Sequence, residues 1–287
     1  MKPARFEYRA PATLDEAVAL LAADPEAKPI AGGQSLMPVL NFRLAAPTML
    51  VDLKRVSGLD RIEIGADGVR LGAKVRWRDI EADGRLDVAH PLLKEAVAHV
   101  AHYQIRNRGT VGGSLAHADP AAELPGIAVA CDGDIRIVGK AGARTIPAAE
   151  FFTGPLSTAL RPDELITELH LPPWPHGRRW AFREFARRHG DFALAGVALF
   201  YDEEPDGRVR DMHIGVIGAC NRPHRLKPVE AMLNGRRIDA AAIMAAAKAA
   251  AAAVDPPRDL HADAEYRRGL TATLVERALQ AAATGGR

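Results

Sequence analysis

Two glycine pairs with nearly the same surroundings constrain this chain more than any other feature of its sequence. Residues 31–36 read Ala-Gly-Gly-Gln-Ser-Leu, and residues 110–115 read Thr-Val-Gly-Gly-Ser-Leu. Paired glycines let a backbone turn sharply and bring its N–H groups close to a ligand, and converging N–H groups favour an anion. One such pair is usually an ordinary turn, whereas two together predict an anion site.

The familiar phosphate-binding motifs match neither segment. The pattern Gly-x-Gly-x-x-Gly is absent from the chain. The nearest approach to Gly-x-x-x-x-Gly-Lys-Ser/Thr is Gly133 followed by Gly139 and Lys140, with one residue too many between the glycines and Ala141 in place of the hydroxyl residue. The sequence therefore argues against both a Rossmann fold and a P-loop.

A longer block around the second pair resembles a known family. Residues 104–125 read Gln-Ile-Arg-Asn-Arg-Gly-Thr-Val-Gly-Gly-Ser-Leu-Ala-His-Ala-Asp-Pro-Ala-Ala-Glu-Leu-Pro. Together with the segment at 31–36, this block resembles the FAD-binding medium subunit of the carbon monoxide dehydrogenase and xanthine dehydrogenase family, and the likeness covers nearly the whole chain. The resemblance implies an α+β fold, in which a two-lobed PCMH-type FAD-binding domain precedes a C-terminal domain of a three-stranded antiparallel sheet with helices.

The chain divides into three predicted parts. At 287 residues it exceeds one average domain. The prolines of 172–175, Pro-Pro-Trp-Pro, break regular structure and mark the main boundary. We expect an FAD-binding subdomain 1 over residues 1–57, an FAD-binding subdomain 2 over 58–175, and a C-terminal domain over 176–287.

Hydrophobic periodicity and capping signals predict the elements of these parts. Thr13 and Glu16 form a capping-box pattern at the start of a first helix. Asp119 and Pro120 read as the N-cap and first position of a helix that runs through Cys131. Three strands are predicted over residues 179–184, 193–202 and 208–219, followed by helices that begin near residues 227, 239 and 263.

Charge and hydropathy exclude several classes of partner. The formal net charge is +2, and acidic and basic residues are interspersed, so that neither a nucleic-acid groove nor a membrane surface is indicated. The N-terminal residues 1–8 carry no apolar signal segment, and no later stretch is apolar enough to span a bilayer. We expect a cytoplasmic protein.

The cysteines exclude an iron–sulfur cluster held by this chain alone. Only Cys131 and Cys220 occur, far apart in the sequence, whereas a cluster normally takes four thiolates and a zinc site needs more ligands than these. Both are interpreted as small buried side chains. No metal site and no catalytic residue is predicted.

The resemblance and the glycine pairs together predict a cofactor site for FAD, with one segment on each side of its pyrophosphate. Asp119 also has the simpler role of helix cap, Glu123 stands where the family usually has Asp, and Gln34 and Arg183 stand where relatives often have His and Lys. The predicted site residues are Pro29, Ile30, Ala31, Gly32, Gly33, Gln34, Ser35 and Leu36 in the first segment, Thr110, Val111, Gly112, Gly113 and Ser114 in the second, and, from the resemblance, Asp119, Glu123, Ile166 and Arg183.

The resemblance implies a function in electron transfer. The FAD subunit of such a molybdenum hydroxylase complex takes electrons from the [2Fe-2S] clusters of a small subunit and passes them to an external acceptor. The molybdenum cofactor belongs to a large subunit, and the complex is a dimer of heterotrimers. Two alternatives stay open: a free-standing FAD-dependent oxidase or reductase, and a scaffold that has lost flavin. A hydrolase is disfavoured, because the Gly-x-Ser pattern at 112–114 lacks the helix and acid that a nucleophile elbow needs.

Overall fold

The structure is a computed structural model that describes residues 2–285 of the chain. Its first part is a small α/β unit, in which three parallel strands lie in the order first, third, second. The elements are the strands β1 (Glu7–Arg9), β2 (Lys28–Ile30) and β3 (Met49–Asp52), the helices α1 (Leu14–Ala23) and α2 (Leu36–Asn41), and a 3-10 turn at Leu53–Arg55.

The helix α1 begins where the sequence predicts. The N–H of Glu16 donates to the Thr13 hydroxyl at 3.2 Å, and the Thr13 N–H donates back to the Glu16 carboxylate at 3.4 Å. This reciprocal capping box satisfies backbone donors that the helix itself leaves free. The buried residues Ala17, Val18 and Leu21 then recur at helical spacing and pack on the sheet.

The second part is built on a five-stranded antiparallel sheet with the order β4-β5-β10-β6-β7. Its strands are β4 (Ile62–Gly65), β5 (Gly68–Gly72), β6 (Asp134–Gly139), β7 (Gly142–Pro147) and β10 (Leu165–Leu171), and β8 (Phe152–Gly154) and β9 (Ser157–Thr158) form a separate short ribbon.

Helices cover one face of this sheet and enclose the largest core of the molecule. Leu71 and Leu169 of the sheet and Leu115 and Ile127 of the helices are fully buried there. The helices are α3 (Trp77–Ala82), α4 (Leu86–Ala89), α5 (Pro91–His99), α6 (Tyr103–Arg106), α7 (Val111–His117), α8 (Glu123–Ala130) and α9 (Ala148–Phe151).

The third part is an antiparallel sheet backed by three helices, and it contains the three predicted strands. They are β11 (Arg179–Phe185), β12 (Ala195–Glu203) and β13 (Val209–Ile217). A fourth strand, β14 (His224–Arg225), extends the sheet by pairing with Gly215 and Val216. The sequence analysis missed it, because two residues carry no measurable hydrophobic period.

The C-terminal helices begin close to the predicted residues 227, 239 and 263. They are α10 (Lys227–Leu233), α11 (Ala240–Ala253) and α12 (Ala264–Thr284). Asp239 accepts a hydrogen bond from the N–H of Ala242, and Asp263 accepts one from the N–H of Tyr266, both at 2.8 Å. Each aspartate therefore caps the helix that follows it. Within residues 2–285, no helix is both long and apolar enough to cross a bilayer.

The predicted start of α8 is wrong. The sequence analysis placed the cap at Asp119, whereas the helix begins at Glu123. Asp119 instead accepts a hydrogen bond from the N–H of Ala121 at 2.9 Å and forms a tight turn. The carbonyl of Pro120 accepts a hydrogen bond from the N–H of Gly218 at 2.8 Å, so it is bonded to the third part of the chain and not within a helix. An Asp-Pro pair signals a turn as readily as a helix cap, and this tertiary hydrogen bond decides between them.

Glycines allow close packing between the helix α8 of the second part and the strand β13 of the third part. A Cβ placed on Gly126 would overlap the side chain of Ile217, and one placed on Gly215 would lie 2.6 Å from the Cβ of Ala130. His213 adds a hydrogen-bonding contact, because its Nδ1 lies 2.7 Å from the carbonyl oxygen of Ala130. Helix and strand thus pack at nearly backbone distance across the joint.

A glycine at this joint and an exposed glycine elsewhere should respond in opposite ways to substitution by alanine. We expect Gly126→Ala to lower the free energy of unfolding by about 1–3 kcal/mol, because the added methyl group overpacks the contact with Ile217. Gly269→Ala in α12 meets nothing within 4 Å and should raise stability by up to about 1 kcal/mol through helix propensity. Urea unfolding of both variants measures the difference. Equal effects of the two substitutions would show that the joint is not tightly packed.

Candidate cofactor-binding site

The first glycine segment is a turn that leads from β2 into α2. Gly33 has φ +74°, a left-handed conformation that residues with a Cβ rarely adopt. Gly32 lies so close to the backbone of Arg108 that a Cβ would overlap the Arg108 carbonyl group, and the same Cβ would be 3.1 Å from the Cα of Gly109. The Arg108 Nε also donates to the carbonyl oxygen of Gly32 at 3.3 Å. The two glycine-containing regions therefore meet.

The backbone donors of this turn are free. Within residues 2–285, the N–H groups of residues 32–36 donate to no acceptor of the chain. The carbonyls of the same turn are used, since Gly32 accepts from Gln34 Nε2 at 3.3 Å and Gly33 accepts from the N–H of Met37 at 3.1 Å. We call residues 32–36 the N–H cradle. Most of it is half-buried and only Ser35 is exposed.

The N–H cradle has the chemistry of an anion site. A backbone N–H that finds no acceptor in the protein needs water or a ligand to satisfy it. Consecutive N–H groups in a left-handed turn form a concave surface of partial positive charge. Because Gly32 and Gly33 carry no side chains and the turn is fixed from below by Arg108, a ligand can approach the backbone closely. The residues present therefore fit the pyrophosphate of a dinucleotide such as FAD.

The second glycine segment is the first turn of the helix α7 and not an open loop. Thr110 caps this helix, and its hydroxyl accepts a hydrogen bond from the N–H of Gly113 at 3.2 Å. The N–H groups of Val111 and Gly112 donate to the carbonyls of Val75 and Ala73 at 2.9 and 2.8 Å. These backbone N–H groups therefore have acceptors within the chain, which leaves the side chains of the segment for a ligand, and the predicted contact of residues 110–114 with the cofactor stays a prediction.

The glycines of the second segment serve packing. A Cβ at Gly112 would lie 2.7 Å from the Cβ of Ala73, so that α7 rests directly on the chain that leaves β5. Gly109 is equally confined, because a Cβ there would be 2.6 Å from Nε1 of Trp77. Trp77 is buried beneath it and belongs to the core. This packing holds Arg108 and Gly109 in place under the N–H cradle.

Two carboxyl groups with raised pKa values lie on neighbouring parts of the structure, Glu123 at the start of α8 and Glu184 on β11. Burial, together with the nearby charge of Asp119, raises the pKa of Glu123 to about 7. Burial, together with the charge of Glu123, raises the pKa of Glu184 to about 8. One carboxylate oxygen of Glu184, Oε2, is buried without a hydrogen-bond partner. An orphaned buried acceptor of this kind is unusual in a folded protein and marks a candidate ligand contact.

The sequence analysis predicted Arg183 as the contact from this strand and did not identify Glu184. Neighbouring residues of a strand point to opposite faces, and only one of them can face Glu123. Arg183 donates to the carbonyl of Phe182 at 2.8 Å. Arg183 lies on β11, which packs against α5. The pKa of His99, the last residue of α5, is lowered mainly by burial and also by the charge of Arg183. The alternation of side chains along β11 could have distinguished Glu184 from Arg183, because consecutive strand residues point to opposite faces of the sheet.

The other predicted site residues lie on β2, α2, β10 and β11. Pro29 and Ile30 belong to β2, and Leu36 is the first residue of α2. Ile166 is buried in the large core, where it pairs with Ile137. Within residues 2–285, the Arg183 side chain forms no hydrogen bond to either glycine segment. The contact of Ile166 and Arg183 with a cofactor stays a prediction.

Fold and cradle together define a protein with a candidate anion site on a small α/β lobe, where that lobe packs against a larger antiparallel lobe. Two family models match the chain. The one described as the FAD binding domain in molybdopterin dehydrogenase matches residues 4–174, and the one described as the CO dehydrogenase flavoprotein C-terminal domain matches residues 180–282.

Known relatives match over their full length. The nicotine 6-hydroxylase medium subunit of Paenarthrobacter nicotinovorans is 41% identical over 97% of this chain and 98% of its own. The carbon monoxide dehydrogenase medium chain of Hydrogenophaga pseudoflava is 36% identical over 98% of both chains. The structure of carbon monoxide dehydrogenase from Hydrogenophaga pseudoflava superposes with a TM-score of 0.96 over 100% of both chains, at 36% identity. Quinoline 2-oxidoreductase from Pseudomonas putida 86 gives 0.95 over 99% of both chains, at 38% identity.

The chain belongs to the family of FAD-binding medium subunits of molybdenum hydroxylases, the group that includes carbon monoxide and xanthine dehydrogenases. It is the flavoprotein component of an oxidoreductase. The resemblance drawn from the two glycine segments and the α+β fold class are thereby confirmed.

The raised pKa of Glu184 makes a prediction about stability and pH. Its folded-state pKa of about 8 lies above the unfolded value of 4.5, so that stability is lost as pH rises from about 4.5 through about 8. We expect Glu184→Gln to melt several degrees above the wild type at pH 8.5, since each kcal/mol moves Tm by roughly 2–4 °C in a domain of this size. At pH 5 the two proteins should melt together.

Scanning calorimetry between pH 5 and 9 measures this effect, with Glu26→Gln as the matched control. Glu26 is an exposed carboxylate in the loop between α1 and β2, and its neutralisation should leave the pH profile unchanged. A difference between Glu184→Gln and wild type that stays constant across the pH range would contradict the assignment.

Proposed function

We propose that this chain binds FAD through the N–H cradle and acts as the electron-transfer subunit of a molybdenum hydroxylase complex. The observation that carries the proposal is the run of free backbone N–H groups at residues 32–36. In a half-buried turn that is fixed by contacts with Arg108, these donors are already oriented before any ligand arrives. Pre-orientation removes much of the entropic cost of binding.

Charge supports an FAD pyrophosphate at this place. The pyrophosphate carries about two negative charges, and fixed N–H groups stabilise them without the flexibility of lysine side chains. The guanidinium of Arg108 is exposed at the edge of the cradle and adds a full positive charge. Gln34 contributes by shaping the turn, because its amide hydrogen-bonds the carbonyl of Gly32. A histidine at this position is therefore not required for the turn to form.

Acceptors for the hydroxyl groups of the cofactor lie at the start of α8. Asp119 and Glu123 are the predicted contacts, and Glu184 joins them because its orphaned Oε2 can accept a hydrogen bond from a hydroxyl group. The side chains of Thr110 and Ser114, with Ile166 and Arg183, complete the proposed lining of the site.

When bound, the flavin accepts electrons and passes them on, while the protein positions it and controls access to solvent. The chain itself supplies no cluster ligands. Burial raises the pKa of the Cys131 thiol to about 12 and that of Cys220 to about 11, which keeps both in the thiol form. Within the part of the chain that the structure describes, no group of three or more His, Cys, Asp or Glu residues is placed to hold a metal ion.

The proposed assembly follows from this division of roles. We place the [2Fe-2S] clusters on a small partner subunit and the molybdenum cofactor on a large one, in a cytoplasmic dimer of heterotrimers with an external electron acceptor. The names of the relatives support this arrangement, since they are called the medium subunit or medium chain of their enzymes.

The proposal is tested by titrating the purified chain with FAD and FMN. We expect FAD to bind more tightly than FMN, because FMN has neither the pyrophosphate that the cradle holds nor the second nucleotide. Gly33→Val should weaken FAD binding by at least about 100-fold, which corresponds to about 2.7 kcal/mol, since the branched side chain forbids the turn.

Gly235→Val is the matched control, because Gly235 has φ +77° and nothing within 4 Å of its Cβ position. Both substitutions strain a left-handed turn and should cost similar stability, but only the change at Gly33 should affect flavin. If the folded wild type binds no FAD, alone or with its partners, the scaffold alternative is correct. Turnover by the isolated chain would instead favour a free-standing oxidase.

A further inference from the structure

The helix α2 ends in a turn that exposes two large apolar side chains. Phe42 is 65% exposed and Leu44 is 77% exposed, with Arg43 between them. We call residues 42–44 the apolar hook. Large apolar side chains that stand together on a surface mark an interaction site more often than scattered ones.

The backbone of the apolar hook is fixed. The N–H of Arg43 donates to the carbonyl of Leu40 at 3.0 Å, and the N–H of Leu44 donates to that of Val39 at 3.0 Å. This is the Schellman arrangement that ends many helices, usually with glycine at the left-handed position. Here Arg43 takes that position with φ 56°, which is unfavourable for any residue with a Cβ. The turn is therefore rigid and strained, and it holds both apolar side chains outward.

The surroundings of the apolar hook are basic. The Arg43 Nε donates to the carbonyl of Lys2 at 3.4 Å, which brings Lys2 alongside the hook, and the exposed Arg5 follows three residues later in the N-terminal segment. Within residues 2–285, none of these three cations forms an ion pair with an acid of the chain. The nearby acid Glu7 is engaged by Arg9. An apolar centre with an unpaired cationic rim is complementary to an apolar pocket rimmed by carboxylates.

The position of the apolar hook close to the proposed flavin site indicates which partner subunit it contacts. The helix α2 starts at the end of the N–H cradle and is six residues long, about 9 Å, so that the hook lies one short helix from the proposed flavin site. We propose that the apolar hook docks into an acid-rimmed apolar pocket on the iron–sulfur subunit that delivers electrons to this chain. This inference rests on the proposed function, because the subunit that exchanges electrons is the one that must sit beside the cofactor.

The test uses the whole complex, expressed with variants of this chain. In the double variant Phe42→Ser/Leu44→Ser, the iron–sulfur subunit should bind at least about 100-fold more weakly or be lost on purification, because the two anchors are gone. The isolated variant should keep the Tm and the FAD affinity of the wild type. Val88→Ser/Met244→Ser is the matched control, since these side chains are 79% and 69% exposed elsewhere on the surface, and it should assemble normally.

Arg43 provides a second, independent measurement. Arg43→Gly relieves the left-handed strain and should raise the Tm of the isolated chain, while it weakens docking and lowers the dependence of docking affinity on salt concentration. Arg43→Lys should restore the salt dependence. A purely structural role of Arg43 would move stability alone and leave the salt dependence unchanged.

Three outcomes overturn the inference. The Phe42→Ser/Leu44→Ser complex could assemble with wild-type affinity, the control variant could lose the same subunit, or the isolated chain could dimerise through the hook, which would make a second copy the occupant. Failure of the proposed function is distinguished by the wild-type FAD titration. A chain that binds FAD and assembles normally without its hook would refute the docking inference alone.

Discussion

The contact between Gly32 and the backbone of Arg108 is the constraint on which the site depends. No side chain fits between these two segments, so the small parallel lobe and the antiparallel lobe meet at backbone distance. Because Gly32 is held there, the left-handed turn at Gly33 follows, and the N–H groups of residues 32–36 are left without acceptors. The free donors therefore result from the way the two lobes pack and not from the glycine sequence alone.

The segment of the second glycine pair holds Arg108, and so stabilises the contact between Arg108 and Gly32. Thr110 caps α7, and the N–H of Gly112 bonds the carbonyl of Ala73, which fixes the chain at Arg108 and Gly109. At the far side, α8 packs against β13 through Gly126, which ties the C-terminal domain to the same helical layer. Glu123 and Glu184 lie on opposite sides of that joint, and the charge of Glu123 contributes to the raised pKa of Glu184. The proposed site therefore draws one acid from each domain.

Local signals predicted much of the fold, and tertiary contacts account for what they missed. Caps such as Thr13, Asp239 and Asp263 are read from a few neighbouring residues, and they begin helices as expected. The turn at Asp119 was misread as a cap because its decisive partner, Gly218, is distant in the sequence. Likewise, the two glycine pairs look alike as sequence, but only packing shows that one leaves its donors free while the other uses them. Glu184 could be found only from the fold.

Hydrogen exchange at single-residue resolution, with and without FAD, tests the central claim most directly. Saturation with FAD should slow exchange of the backbone amides of residues 32–36 by about tenfold or more, because these groups gain their first acceptor. The amides of residues 111–114 are already bonded within the chain and should change little. Unchanged exchange at 32–36, or new protection confined to 111–114, would contradict the account.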